Sequence, residues 1–311
     1  MTTKKFEDPK NSLILFGLKE KLNFLINLYN SNKLPKVLML SGKKGIGKFT
    51  LINHLLAYIF DKVNYNFDNN IIDSNSKYYK EYFNNIFPNI IYLSGSMYEN
   101  VKVENIRELK SSILKSSISK NKRFIILDDV ELFNNNSLNA LLKIIEEPSL
   151  SNNFIFINNK AKPLLDTIYS RSLELKILLT KNNSIKIIKS LIDKNNLNNH
   201  IDYETINLSP GNFIIFNDIC ENFNIDVNDN LLINLESILK LYKKNKNFNF
   251  IAFIFYIIDL HFMNLILKKT YNIEKINESK SLITNNINNF LKFNLNQNAL
   301  INAINTELLH A

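Results

Sequence analysis

Val37-Leu38-Met39-Leu40 is a wholly apolar run that leads into Gly42-Lys43-Lys44-Gly45-Ile46-Gly47-Lys48-Phe49-Thr50. Leu51, Leu55, Leu56 and Ile59 then recur at helical spacing. Strand, glycine-rich loop, helix is the context in which backbone N–H groups close on phosphate oxygens. A working loop reads G-x-x-x-x-G-K-[ST]: the glycines permit the close approach, the lysine neutralises the phosphates, and the hydroxyl coordinates Mg²⁺. Gly42, Gly47 and Lys48 meet the pattern, with Gly45 between them, but Phe49 stands where the hydroxyl belongs. Thr50 comes one residue late, about 100° further around the helix.

The same logic of apolar runs orders the next hundred residues. Ile90–Leu93 reads as a second strand, and Val103–Ile118 as a helix with Val103, Ile106, Leu109, Ile113 and Leu114 on one stripe. Phe124–Leu127 is a third strand, ending at Asp128-Asp129. Leu138, Leu141, Leu142 and Ile145 mark a helix stopped by Pro148, and Phe154–Ile157 is a fourth strand. Strands alternating with helices predict a parallel α/β sheet with right-handed crossovers. Ligands bind beyond the carboxyl ends of such strands, so Gly42–Thr50, Asp128 and Asn158 are expected to share one site.

Other stretches carry less pattern. Asp61–Tyr82 is polar and asparagine-rich and reads as an irregular insertion. Beyond Arg171 the strand signal fades. Lys181–Asn195 is a lysine-rich amphipathic helix, Ser209-Pro210-Gly211 punctuates the chain, and Val227–His310 is helical throughout with no glycine or proline. The expectation is a phosphate-loop α/β domain over 1–172, a small helical domain over 173–222 and an all-α C-terminal domain over 223–311.

Composition excludes several classes. With 311 residues the chain exceeds what one core usually serves. One cysteine, Cys220, rules out a disulfide framework or thiolate cluster, and His54, His200, His261 and His310 have no ligand spacing, so no metal site is expected. Residues 1–10 are polar and lack the apolar region of a signal peptide. Phe250–Ile258 is apolar, but Asp259, His261 and Asn264 break the stretch to Leu267. A span wants roughly 20 unbroken apolar residues, so a buried helix and a cytoplasmic location are expected. The net charge of +9 suits a nucleic-acid partner, or it reflects lysine-rich coding that also favours asparagine and isoleucine; composition leaves both open.

Asp128, closing an apolar strand, stands where a nucleotide hydrolase places its magnesium-directing carboxylate. The next position normally holds a glutamate that polarises water, and here it is Asp129, one methylene shorter. Glu146-Glu147-Pro148 reads either as a solvated helix end with a proline stop or as part of a functional motif. Ser170-Arg171, after Thr167-Ile168-Tyr169, offers either a surface arginine or a finger that stabilises charge on a γ-phosphate.

Asn139-Ala140-Leu141-Leu142-Lys143, Glu146-Glu147-Pro148 and Thr167 through Arg171 together resemble the clamp-loader branch of the AAA+ ATPases. Leu34-Pro35, Gly45-Ile46-Gly47-Lys48 and Ser209-Pro210-Gly211 fit the same family. The resemblance covers about Leu34 to Arg171, continues to Asn212, and beyond that rests on helical character. It implies an AAA+-like domain, a helical lid and a helical collar that joins subunits.

It also implies a pentameric complex with delta and gamma/tau subunits, acting on a sliding clamp and primer-template DNA. This chain would be a stator that hydrolyses no ATP and presents Arg171, with Ser170, to ATP on a neighbour. Many relatives carry a four-cysteine zinc module where this chain has Asp61–Tyr82, and active members carry a γ-phosphate-sensing arginine where it has Asn212. Asn158 occupies the position of a polar sensor.

Gly42, Gly45, Gly47, Lys48, Thr50, Asp128, Asp129 and Asn158 thus form a nucleotide pocket that is either retained or vestigial. ATP or ADP with Mg²⁺ stays an open cofactor. The alternatives are a motor subunit of the same complex, with Thr50 reaching Mg²⁺ through a rearranged loop, and a P-loop kinase or transferase.

Overall fold

Five short runs, four of them apolar along most of their length, pair into one sheet in the computed structural model, which describes residues 9–95, 101, 103–114, 122–147, 149, 151–268 and 273–310. The strands are β1 (Val37–Ser41), β2 (Ile90–Ser94), β3 (Arg123–Asp128), β4 (Asn152–Asn158) and β5 (Leu173–Lys176). All pairings are parallel, in the order β2-β3-β4-β1-β5. Because β1 lies between β4 and β5, strand order reverses beside it, and the carboxyl end of β1 sits at that switch point.

The pleat distributes the apolar residues to two faces. Leu38, Leu40, Phe124, Ile126, Ile155 and Ile157 point to one side. There they meet α1 (Lys19–Asn30), α2 (Lys48–Phe60) and α3 (Lys77–Phe83) through Leu22, Leu25, Leu51, Leu55, Tyr78 and Tyr82. Val37, Met39, Ile125, Leu127, Phe154 and Phe156 point to the other, against α4 (Val103–Leu114), α5 (Asn135–Ile145) and α6 (Asp166–Tyr169). Burial on both faces explains why these strands read as continuous apolar runs. The α5 start is capped by Asn134, whose Oδ1 accepts from Ser137 N at 2.8 Å.

Two expectations need correction. β5 carried no recognised strand signal, because Leu-Glu-Leu-Lys is four residues long, lies at the sheet edge and alternates in polarity. The insertion is also more ordered than its composition suggests. Tyr65, Ile72, Tyr78 and Tyr82 are buried, Ile71 bridges Ile14 and Asn66, and α3 closes the segment. Tyr78 stacks on Tyr82, and Phe60 and Phe87 join Tyr78. The helix expected over Val103–Ile118 is present to Leu114. Its last residues, like Pro148 and residues 1–8, lie outside the described residues.

His54 is sealed within this layer. Its Nε2 lies 3.2 Å from the Ser12 carbonyl, which only accepts, so Nε2 carries the proton and Nδ1 accepts from the Tyr65 hydroxyl at 3.0 Å. Burial pushes its pKa down to about 4, with the Ser12 contact opposing. The unfolded chain therefore binds a proton on this ring before the folded one does. Its contribution is complete above about pH 6.5 and is lost as pH falls through about 4. Chemical denaturation should show the stability of the wild type relative to a His54→Gln variant falling by about 3 kcal/mol between about pH 7 and pH 4. A pH-independent difference would contradict this assignment.

The chain divides into two compact units, Met1–Ile187 with Ser209–Gly211, and Ile188–Leu208 with Asn212–Ala311. The helices α7 (Lys181–Asn195) and α8 (Pro210–Phe223) run across the dividing points. The second unit is helical: α9 (Leu231–Asn245), α10 (Phe248–Lys268), α11 (Ile273–Phe293) and α12 (Gln297–His310), with α9 and α11 each packed on α10 and α12. α10 is long and apolar enough to cross a bilayer, but Phe250, Phe253, Ile254, Ile257, Ile258 and Phe262 are buried in the core of this unit. It is the central helix of the bundle.

Candidate functional site

The loop after β1 is built on backbone conformations that side chains resist. At Gly42, φ is +153°, and a Cβ would lie 2.3 Å from the Ile177 carbonyl oxygen. Gly47, in the left-handed region, caps α2. Gly211 closes over the loop: its N–H donates to Gly45 O at 2.8 Å, and a Cβ there would meet Gly45 Cα at 2.8 Å. Pro210, with no N–H to offer, starts α8. The Ser-Pro-Gly punctuation of the sequence thus packs on the phosphate-type loop.

Lys48 is almost wholly buried, and its Nζ donates to the carbonyls of Gly42 and Lys43, both at 2.7 Å. Burial lowers its pKa to about 8, opposed by the carboxylates of Asp128, Glu131 and Asp129. Phe49 lies in the core beneath β1, edge-on to Tyr92 of β2 with ring centroids 5.1 Å apart. Thr50 is half-buried one position along the helix.

Across the strand ends, Asp128 is held by two donors. Tyr92 donates its hydroxyl to Oδ2 at 3.1 Å, and Asp129 N donates to Oδ1 at 2.8 Å. Burial, with Asp129 adding repulsion, raises the Asp128 pKa to about 7. Asp129 is buried in the left-handed region, φ +50°, which a short acidic side chain tolerates. Its oxygens accept from Asn159 Nδ2 at 2.6 Å and Ser94 Oγ at 3.3 Å.

Asn158 is paired in register with Ser41, gives its carbonyl to Gly42 N at 3.1 Å, and donates through Nδ2 to the Tyr169 hydroxyl at 3.0 Å. Gly42, Gly45, Gly47, Lys48, Asp128, Asp129 and Asn158 therefore lie at the carboxyl ends of β1, β3 and β4, with Thr50 further along α2.

Three partners escaped the sequence reading. Glu131 is buried with Oε1 accepting from Asn159 N at 3.0 Å and Ala161 N at 3.4 Å, while Oε2 has no hydrogen-bond partner among the described residues. Burial raises its pKa. Ser94 and Asn159, which hold Asp129, are residue types too common in this chain to stand out.

The donors present make a cradle for an anion but lack the metal-coordinating hydroxyl of a magnesium–nucleotide site. The loop backbone and Lys48 form a phosphate-type cradle, but no oxygen stands at position 49. The Tyr92 hydroxyl, packed edge-on with Phe49, donates to one oxygen of Asp128.

Ser170 and Arg171 stand apart, exposed at the end of α6. Arg171 donates from Nε to Glu146 Oε1 at 3.0 Å, places Nη2 2.7 Å from the same oxygen, and donates from Nη1 to Thr167 O at 3.2 Å. The guanidinium is thus on the surface, with every contact local.

A family model described as "DNA polymerase III, delta subunit" matches residues 17–181, more than half of the chain. The chain belongs to this family. Within the DNA polymerase III delta subunit family, its matched stretch spans the whole sheet and both motif clusters.

Related proteins are named as gamma, gamma/tau and delta' subunits of DNA polymerase III. The gamma subunit of Buchnera aphidicola subsp. Acyrthosiphon pisum is 28% identical over 187 residues, 59% of this chain and 50% of its own length. The delta' subunit of Buchnera aphidicola subsp. Schizaphis graminum is 32% identical over 98 residues, 31% of this chain and 30% of its own. The chain spans about half the length of that gamma subunit and of the gamma subunit of Buchnera aphidicola subsp. Schizaphis graminum. A gamma subunit-related protein of Thermotoga maritima aligns over 91% of this chain and 98% of its own, at 16% identity and a TM-score of 0.48.

Proposed function

We propose that the chain is a delta-prime-like subunit of the DNA polymerase III clamp loader. In this reading it is a stator that hydrolyses no ATP and supports placement of the sliding clamp on primed DNA in the cytoplasm. It donates Arg171 to ATP bound on an adjacent gamma/tau-type subunit. Delta and gamma/tau subunits are its partners in a hetero-pentamer, with residues 223–311 as the collar and 173–222 as the lid.

One observation carries the reading: the chain's own loop begins its helix with a core phenylalanine whose ring backs the tyrosine bonded to Asp128, while Ser170-Arg171 is solvent-exposed. A hydrolytic site needs the missing hydroxyl. A finger needs only an accessible guanidinium.

Mixing the purified chain with delta- and gamma-type subunits and measuring assembly mass tests the partnership. A discrete complex containing one copy of this chain is expected; a chain that stays monomeric in the mixture would remove the proposal. The length of the match to gamma subunits favours a second reading, a gamma/tau-like motor. Steady ATP turnover by the isolated chain would select that one.

A further inference from the structure

The arginine read as a donor in trans is already engaged in its own chain. Of the five guanidinium N–H groups, Nε–H and one on Nη2 go to Glu146 Oε1, and Nη1 reaches Thr167 O at 3.2 Å and Ser170 Oγ at 3.4 Å. Only one Nη2 hydrogen is left over. Fork-like recognition of a phosphate needs two parallel donors, so the arginine cannot make it in this arrangement.

Glu146 has its own reason to hold a cation. It is the C-cap of α5, where unpaired carbonyls make the helix end partly negative and a carboxylate is unfavourable. Glu147 adds a second acid at the same end. The Glu146–Arg171 pair relieves that repulsion. It also joins the two motifs that lie 25 residues apart in sequence.

We propose that Glu146 is a positioning residue that stores Arg171 at the end of α5 and releases it to the terminal phosphate of a nucleoside triphosphate held by a neighbouring chain. This rests on the reading of Arg171 as a donor in trans. The pair suits such an exchange because both side chains are substantially exposed, 37% and 47%. Exposed ion pairs shift equilibria by only a factor of about 2 to 5. A polyphosphate, carrying several charges and oxygens spread over three directions, outcompetes one carboxylate oxygen. Latching therefore weakens nucleotide engagement in ground and transition states alike.

The test uses the assembled complex carrying wild type, Glu146→Gln, Arg171→Ala or both substitutions in this chain. Two quantities are read: the dissociation constant of a non-hydrolysable ATP analogue, and KM against kcat for ATP. Glu146→Gln is expected to lower the dissociation constant of the neighbouring site and KM by about 2- to 5-fold with kcat unchanged, the mark of a uniform binding effect.

In the Arg171→Ala background the same substitution should change neither constant. Unchanged or raised constants in Glu146→Gln would overturn the latch, as would an equal gain when Arg171 is absent. If Arg171→Ala alone leaves binding and turnover untouched, the donor reading itself fails, and the latch with it.

Discussion

Arg171→Ala is expected to lower ATP turnover at the neighbouring site it is proposed to serve by about 10³–10⁵-fold, the range by which finger arginines accelerate phosphoryl transfer. The size follows from contacts that the side chain would make to the bound nucleotide and strengthen in the transition state, when charge spreads over the oxygens of the transferring phosphoryl group. The chain itself should stay folded. Arg171 is exposed, and its ion pair with Glu146 contributes no more than about 1 kcal/mol at such a surface. Thermal unfolding of the variant beside the wild type separates the two effects. A complex whose turnover survives the substitution would take Arg171 out of the mechanism.

The second large effect is on stability. Phe49→Ser restores the motif on paper, yet it removes a ring buried in the core and packed edge-on to Tyr92. Phenylalanine truncations in cores cost about 3–5 kcal/mol, a large share of the roughly 5–15 kcal/mol that holds a domain together. No ATPase should appear in exchange. Asp129 is still one methylene shorter than the glutamate that polarises water in hydrolases, and its oxygens are turned to Asn159 and Ser94. Urea unfolding measures the first expectation, and phosphate release by the isolated variant the second. Turnover that appears with Phe49→Ser and vanishes when Lys48 is also replaced would contradict the account.

Much of the sheet was legible because strands buried on both faces are apolar along their whole length. Ile90–Leu93, Phe124–Leu127 and Phe154–Ile157 each fall within a strand that the structure contains. β5 was not legible, since an edge strand of alternating polarity looks like loop. The insertion misled because asparagines mask two tyrosines, Tyr78 and Tyr82, four residues apart on one face of α3.

At the site, the phosphate-type loop, the acidic strand end and Asn158 could be read from order and spacing. What holds them could not. Glu131 lies two residues past the acidic pair and resembles any surface acid at a strand exit, until burial and its backbone donors are seen. The Glu146–Arg171 pair likewise joins positions whose proximity depends on how α5 and α6 pack on one face of the sheet.

The division of labour between two pockets is tested most directly by one paired measurement. The clamp-loader assembly is prepared with Lys48→Met or with Arg171→Ala in this chain alone, and DNA-stimulated ATP turnover is recorded for each. Unchanged turnover with Lys48→Met and collapsed turnover at one site with Arg171→Ala is the result predicted here. The reverse pattern, with turnover lost through Lys48 and kept without Arg171, would show that the chain burns nucleotide in its own loop.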